Sequence, residues 1–185
     1  GSVGNGGMLV TSDPELAMRI RLLCSYGHAP DTGPDIHGRQ QHIIEGYNMP
    51  LDPLQAALLQ IKLPHLNDWT EKRRQIASAY ARGLQGTAAI LPTFRPESEP
   101  TFRSYTVRVP DQVKVYQAMR AAGVEVVLHY TPPVYRQPVY PSGLVGSDAL
   151  PLTDRLAQEI LCLPVTVELT DDDVDYAVAT LRSLL

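Results

Sequence analysis

Residues able to do chemistry are thinly spread along the 185 positions of this chain. His28, His37 and His42 share one polar stretch, at an irregular spacing that matches neither helical nor hairpin zinc ligation. A single imidazole there could still face a ligand. Asp171-Asp172-Asp173 could attract a cation, but three carboxylates directly after Thr170 also suit the first turn of a helix. There the hydroxyl caps and the negative charge meets the positive end of the macrodipole. No metal site is therefore expected. His129-Tyr130 closes an apolar run and opens a Pro132-Pro133 loop, a place from which polar aromatics often point into a site. Residue chemistry alone leaves this pair open between a ligand contact and a satisfied packing pair.

Other candidates have plain explanations. Gly4-Asn5-Gly6-Gly7 offers backbone N–H groups to a phosphate, yet lacks the Lys-Ser/Thr of a P-loop and a preceding strand, so a turn is the better reading. Lys72-Arg73-Arg74 reads as a solvated helix face. Asn48, in Gly46-Tyr47-Asn48, fits a turn ahead of a helix. Cys24 and Cys162 stand far apart with no CxxC or Cys/His spacing, and read as buried reduced thiols.

These residues need elements to hold them. With 44% apolar and 19% charged residues, the chain can bury a core of about one domain or one and a half. A net charge of -4 gives no broad basic surface, which places nucleic acid and anionic membranes low among partners. No apolar run reaches the ~18 residues of a spanning helix, and Gly1 to Gly7 does not resemble a signal peptide. A cytoplasmic protein is expected.

Met8 to Thr11 reads as a short strand, and Asp13-Pro14 starts a helix carrying Leu16, Ile20, Leu22 and Leu23, with Gly27 as its stop. Residues 28–46 form a long loop. Asp52-Pro53 starts the next helix, in which Leu51, Leu54, Leu58 and Ile61 recur at helical spacing and predict a buried face. Pro64 should break it, giving a long kinked helix over about 52–85. Strands at 104–109 and 124–130 flank an Asp111-capped helix stopped by Gly123, enough for one crossover. Leu152, Leu156 and Ile160 mark a helix, residues 162–167 a strand, and Thr170 the start of a last helix with Val174, Ala177, Val178, Leu181 and Leu185 inward.

Four ordered segments carry a resemblance through nearly the whole chain: GSVGNGGMLVTSDPELAMRIRLL, EGYNMPLDPLQAALLQIKLPHLNDWTEKRR, GVEVVLHYTPPVYRQPVY and LCLPVTVELTDDDVDYAV. Together they resemble the DegT/DnrJ/EryC1/StrS sugar aminotransferases, which use pyridoxal phosphate on the fold-type I architecture. The resemblance implies an α/β chain with an α+β small domain. Residues 1–47 would be the tail of the large cofactor-binding domain, 48–85 the bridging helices, and 86–185 a small domain with a short sheet packed by helices.

It also implies a homodimer that moves an amino group, commonly from glutamate, to a keto sugar nucleotide or keto cyclitol. Asn48 matches the GYN asparagine that reaches the neighbour's cofactor phosphate, and His129 and Tyr130 match the pair lining the substrate pocket. The loop holding His37, Arg39 and His42 matches a region near the partner's site. The family's Schiff-base lysine lies a few residues before the stretch matching Gly1-Ser2-Val3-Gly4. Lys62, Lys72 and Lys114 do not stand in its context. The expectation is accordingly a C-terminal fragment without a catalytic residue of its own, inactive alone and holding no cofactor covalently. A freestanding non-catalytic interaction module, or the second half of a split aminotransferase, is the alternative. The chain departs from the family at Pro50, where arginine is common, at Val167, where proline is usual, and at Arg136, where histidine often stands.

Overall fold

Two aspartate-proline pairs set the first two helices. Asp13 Oδ1 accepts from the N–H groups of Glu15 (2.9 Å) and Leu16 (3.1 Å), and Pro14 opens α1 (Pro14–Cys24). Asp52 does the same for Leu54 and Gln55 at the start of α2 (Pro53–Lys62). A proline at the first helical position loses only an N–H that has no partner inside the helix. The computed structural model describes residues 2–28, 41–140 and 150–185. The chain divides into two compact units, Gly1–His65 and Leu66–Leu185. The division lies within the stretch expected to bridge two domains.

In the first unit, α1 ends where the N–H groups of Ser25 (3.1 Å) and Gly27 (2.7 Å) both donate to the Leu22 carbonyl. Gly27 has φ +72°, and a Cβ there would stand 1.8 Å from the Ile44 carbonyl oxygen, so only glycine fits. The strand expected at Met8 to Thr11 is not formed: Met8 and Val10 are 85% and 87% exposed on a segment without ladder pairing. A strand needs a neighbour for its backbone groups, and the described residues provide none. The buried face expected for α2 is also absent. Leu54 and Ile61 are 73% and 68% exposed, and Gln55 is the helix's sole buried residue. Period reveals an apolar face but not what covers it. The expected break does fall at Pro64, in a 3₁₀ turn over Leu63–His65, after which α3 (Leu66–Gly83) begins.

The second unit is built on β1 (Tyr105–Arg108) and β2 (Ile160–Leu163), paired antiparallel with Tyr105 opposite Leu163 and Val107 opposite Leu161. Side chains alternate across a sheet, so these four residues share its core face, while Thr106, Arg108, Ile160 and Cys162 share the other. The strand expected at 124–130 is reduced to one antiparallel bridge, Val127 to Cys162. Both β1 and this segment run against β2, which separates them, so the crossover exists in direction without adjacent strands. The expected helix to Ile160 is shorter: α5 is Pro151–Ala157, and Ile160 opens β2.

Three helices cover the core face: α3, α4 (Gln112–Ala121) and α6 (Asp171–Leu184), with α6 touching both others. Ile76, Tyr80 and Leu84 from the α3 end, Val115 and Met119 from α4, and Val174, Ala177, Val178 and Leu181 from α6 join the buried cluster. The Tyr80 hydroxyl donates to the Pro164 carbonyl at 2.9 Å, and burial, with Asp173 second, pushes its pKa up. Asp111 does not cap α4. It sits in the left-handed region at φ 47°, where aspartate is tolerated, with no side-chain bond to the helix. The Thr170 cap is present as a reciprocal box: Asp173 N–H donates to Thr170 Oγ1 (3.2 Å) and Thr170 N–H to Asp173 Oδ2 (2.9 Å).

Two outcomes follow for stability. A Cβ on Gly83 would stand 2.6 Å from Val178 Cγ1, and a helical valine is stiff at χ1, so it cannot turn aside. Gly83→Ala should lower stability by about 1–2 kcal/mol, overpacking outweighing the helix-propensity gain of up to about 1 kcal/mol; the urea midpoint followed by near-UV circular dichroism checks this. Thr170→Ala should cost about 1 kcal/mol as a lost cap. The bonds to Thr170 hold the Asp173 carboxyl below its ordinary value. That contribution is therefore full above about pH 3.9 and is lost as pH falls through the lowered folded value. In Thr170→Ala the acid side of the stability profile should flatten.

Candidate functional site

Asn48 is placed by its neighbours' backbones. It bridges Ser25, while Tyr47 N–H donates to Leu23 (2.7 Å) and Met49 N–H to Cys24 (3.0 Å), the last carbonyls of α1. These otherwise unpaired groups at a helix end take the 47–49 segment as their partner. The backbone is fixed and the Asn48 side chain is exposed.

The same turn brings His28 opposite His42, with ring centroids 6.0 Å apart. His42 Nδ1 lies 2.9 Å from the Tyr26 carbonyl. A carbonyl only accepts, so Nδ1 is the donor in this pair. His37 and Arg39 lie outside the described residues. Among the described residues no group of three His, Cys, Asp or Glu side chains could hold a metal ion.

In the second unit, His129 and Tyr130 follow the Val127 bridge and are joined by a cis peptide bond, as are Thr131 and Pro132. The two rings are 4.6 Å apart; His129 is half-buried and Tyr130 is 72% exposed. Beyond them a 3₁₀ turn, Val134–Arg136, is tied to α5 by one carboxylate. Asp154 Oδ1 accepts from the Tyr135 hydroxyl (2.8 Å) and from Arg136 Nε (2.9 Å), and Oδ2 accepts from Arg136 Nη2 (2.7 Å). The fork of Arg136 holds the Asp154 carboxyl below its ordinary value, with Tyr135 adding to this. Burial first, and then Asp154, raises the Tyr135 phenol. An open cavity of about 460 Å³ lies here, lined by Thr131, Pro132, Pro133, Arg136, Asp154, Ala157 and Gln158. Sequence reasoning noted Arg136 but missed Asp154, because a lone aspartate 18 residues downstream carries no local signal.

Pyridoxal phosphate needs an amine for its aldehyde and donors for its phosphate. Asn48 fits one phosphate contact, as an exposed neutral amide on fixed backbone. The three lysines stand on separate helices. Lys62 closes α2, Lys114 is exposed on α4, and Lys72 Nζ is 3.4 Å from Asp171 Oδ1. The groove beside Lys72 is lined by Gln75, Ile76, Ala79, Arg82, Asp171, Val174 and Asp175, with no aromatic ring to stack on a pyridine.

The model of the DegT/DnrJ/EryC1/StrS aminotransferase family matches residues 2–182. The erythromycin biosynthesis sensory transduction protein EryC1 of Saccharopolyspora erythraea is 34% identical over 184 residues, which are 99% of this chain and 48% of that protein. The dTDP-3-amino-3,4,6-trideoxy-alpha-D-glucose transaminase of Streptomyces venezuelae is 35% identical over 166 residues, 89% of this chain and 42% of its own length. Among solved structures, S. venezuelae DesV in complex with a ketimine intermediate superposes with a TM-score of 0.85 at 31% identity, covering 95% of this chain and 45% of that one. The chain spans about half the length of the curated relatives it matches.

Asp154→Asn should remove the charge that both neighbours meet. Tyr135 is then expected to ionise at lower pH than in the parent. Tyrosine-selective ¹³C NMR titration reads this directly, and an unmoved Tyr135 titration would contradict the anchoring.

Proposed function

Because this chain belongs to the DegT/DnrJ/EryC1/StrS aminotransferase family, we propose that it forms the C-terminal part of a pyridoxal phosphate-dependent transaminase acting on a keto sugar nucleotide or keto cyclitol. Glutamate is the favoured amino donor. The working form is a cytoplasmic homodimer. The observation that carries the reading is likeness along nearly the whole chain: 95% of it superposes on DesV at a TM-score of 0.85.

When bound, pyridoxal phosphate supplies a carbonyl for the amine and an electron sink for the transfer. The residues of this chain bind and orient. Asn48 donates its side-chain N–H to the cofactor phosphate of the neighbouring subunit, a neutral contact that holds the anion without contributing a titrating group. His129 and Tyr130 line the substrate pocket, the imidazole pairing with a sugar hydroxyl and the exposed phenol ring covering an apolar sugar face. Asp154, through Tyr135 and Arg136, steadies the loop that follows. Residues 1–47 belong to the large domain, 48–85 to the bridge and 86–185 to the small domain. The Schiff-base amine comes from a segment other than those of Lys62, Lys72 and Lys114, so this chain alone neither transaminates nor bonds the cofactor.

The purified 185-residue chain mixed with pyridoxal phosphate should develop no lysine-dependent absorbance band and convert no glutamate. A band abolished by substituting Lys62, Lys72 or Lys114 would overturn the assignment. In the complete dimer, Asn48→Ala should weaken cofactor binding roughly 10–100-fold, the value of about 1.5–3 kcal/mol for a hydrogen bond to a charged group. Equilibrium dialysis of the cofactor measures it.

A further inference from the structure

α2 exposes Leu54 and Ile61 yet buries a glutamine. Gln55 is 9% exposed, and its Nε2 donates to the Asn5 carbonyl at 2.9 Å while its Oε1 faces the Ser2 hydroxyl. That hydroxyl also lies 2.8 Å from the Gly4 carbonyl, so its single proton serves one of two acceptors. The glycines permit this approach. A Cβ on Gly4 would stand 3.2 Å from Gln55 Oε1, and one on Gly6 would stand 3.0 Å from Leu51 Cδ1. Gly7, one step on, meets nothing within 4 Å. One carboxamide therefore bonds both Ser2 and Asn5 and lies beside Gly4, within the Ser2–Gly6 segment, which has no regular structure of its own.

We propose that Gln55 is a positioning residue: its buried carboxamide fixes the glycine-rich segment Ser2–Gly6 on α2, and thereby sets where that segment's backbone is presented. A buried amide carries both a donor and an acceptor, and leaving either unmatched is unfavourable, so the segment has one preferred seat. A leucine or alanine at this position would cover the backbone without choosing that seat. The functional weight of this fixing rests on the aminotransferase reading, in which this segment adjoins the one bearing the Schiff-base lysine. The fixing itself does not.

The test uses ¹⁵N relaxation on the 185-residue chain. Backbone order parameters of Gly4, Asn5 and Gly6 should be near about 0.85 in the parent and below about 0.6 in Gln55→Ala. Gln55→Glu provides rescue within one sample. At pH 7 its carboxylate repels the Asn5 carbonyl and the segment should loosen; protonated below about pH 4, the carboxyl has the donor and acceptor of the amide, and order should return. The Asn5 carbonyl and the Ser2 hydroxyl do not titrate in this range. The parent at both pH values, and the methyl signals of Leu161 and Val107, control for general acid effects.

Unchanged order in Gln55→Ala, or low order in the parent, overturns the proposal. So does a Gln55→Glu variant whose order ignores pH, since a purely space-filling role predicts that outcome. Loss of transaminase activity in any assay leaves these readouts untouched, so failure of the proposed function and failure of the positioning role are told apart.

Discussion

The β1–β2 register is the constraint on which the second unit depends. Pairing Tyr105 with Leu163 and Val107 with Leu161 places four large apolar side chains on one side of a two-stranded ladder. A lone pair of strands is marginal in water; here it persists because α3, α4 and α6 bury that face, at roughly 1.5–3 kcal/mol for each large apolar side chain fully covered. A slip of one residue would turn Thr106 and Arg108 inward and lose most of that gain. On the outer face Arg108 instead meets Glu159, its Nη2 2.6 Å from Oε2, and Cys162 Sγ lies 3.2 Å from Thr106 Oγ1. The outer face thus satisfies polar groups where the inner one could not.

The first unit is held by other means. Among its described residues no apolar side chain is buried, and its order rests on backbone bonds at the end of α1, on the two aspartate caps and on Gln55. Each such bond is worth about 1 kcal/mol net. With so little apolar burial, the first unit is expected to open locally at lower free energy than the second.

Features decided within a few residues were legible in the sequence. Asp13-Pro14, Asp52-Pro53 and the Thr170 cap were readable because cap and capped N–H lie within one turn. Gly27 was readable as a stop for the same reason. Long-range dependence defeated the rest. The period of Leu54 and Ile61 was correct as a helix but silent about cover, and Met8 to Thr11 had strand composition without a partner. Asp111 looked like a cap, but its backbone is left-handed at φ 47° and its side chain makes no bond to the helix. The four-segment resemblance reached the family and pointed to Asn48, His129 and Tyr130, whereas Asp154 and Gln55 act through contacts 18 and 50 residues away in sequence.

These contacts share a logic. Asn48, Ser2–Gly6 and the His129–Tyr130 loop all lie on irregular backbone, which by itself pays the full entropic cost of being held in place. Each is tied to a helix or helix end by hydrogen bonds: the α1 carbonyls for Asn48, the Gln55 amide for the glycine segment, and the Asp154 carboxylate for the turn after Tyr130. Arg136 shows how such a tie constrains chemistry. A guanidinium engages both carboxylate oxygens in one plane and fixes the orientation of the turn, whereas an imidazole in its place would offer one N–H in that direction. Arg136 is thereby engaged by Asp154 rather than left as a free cation at the edge of the cavity that both residues line.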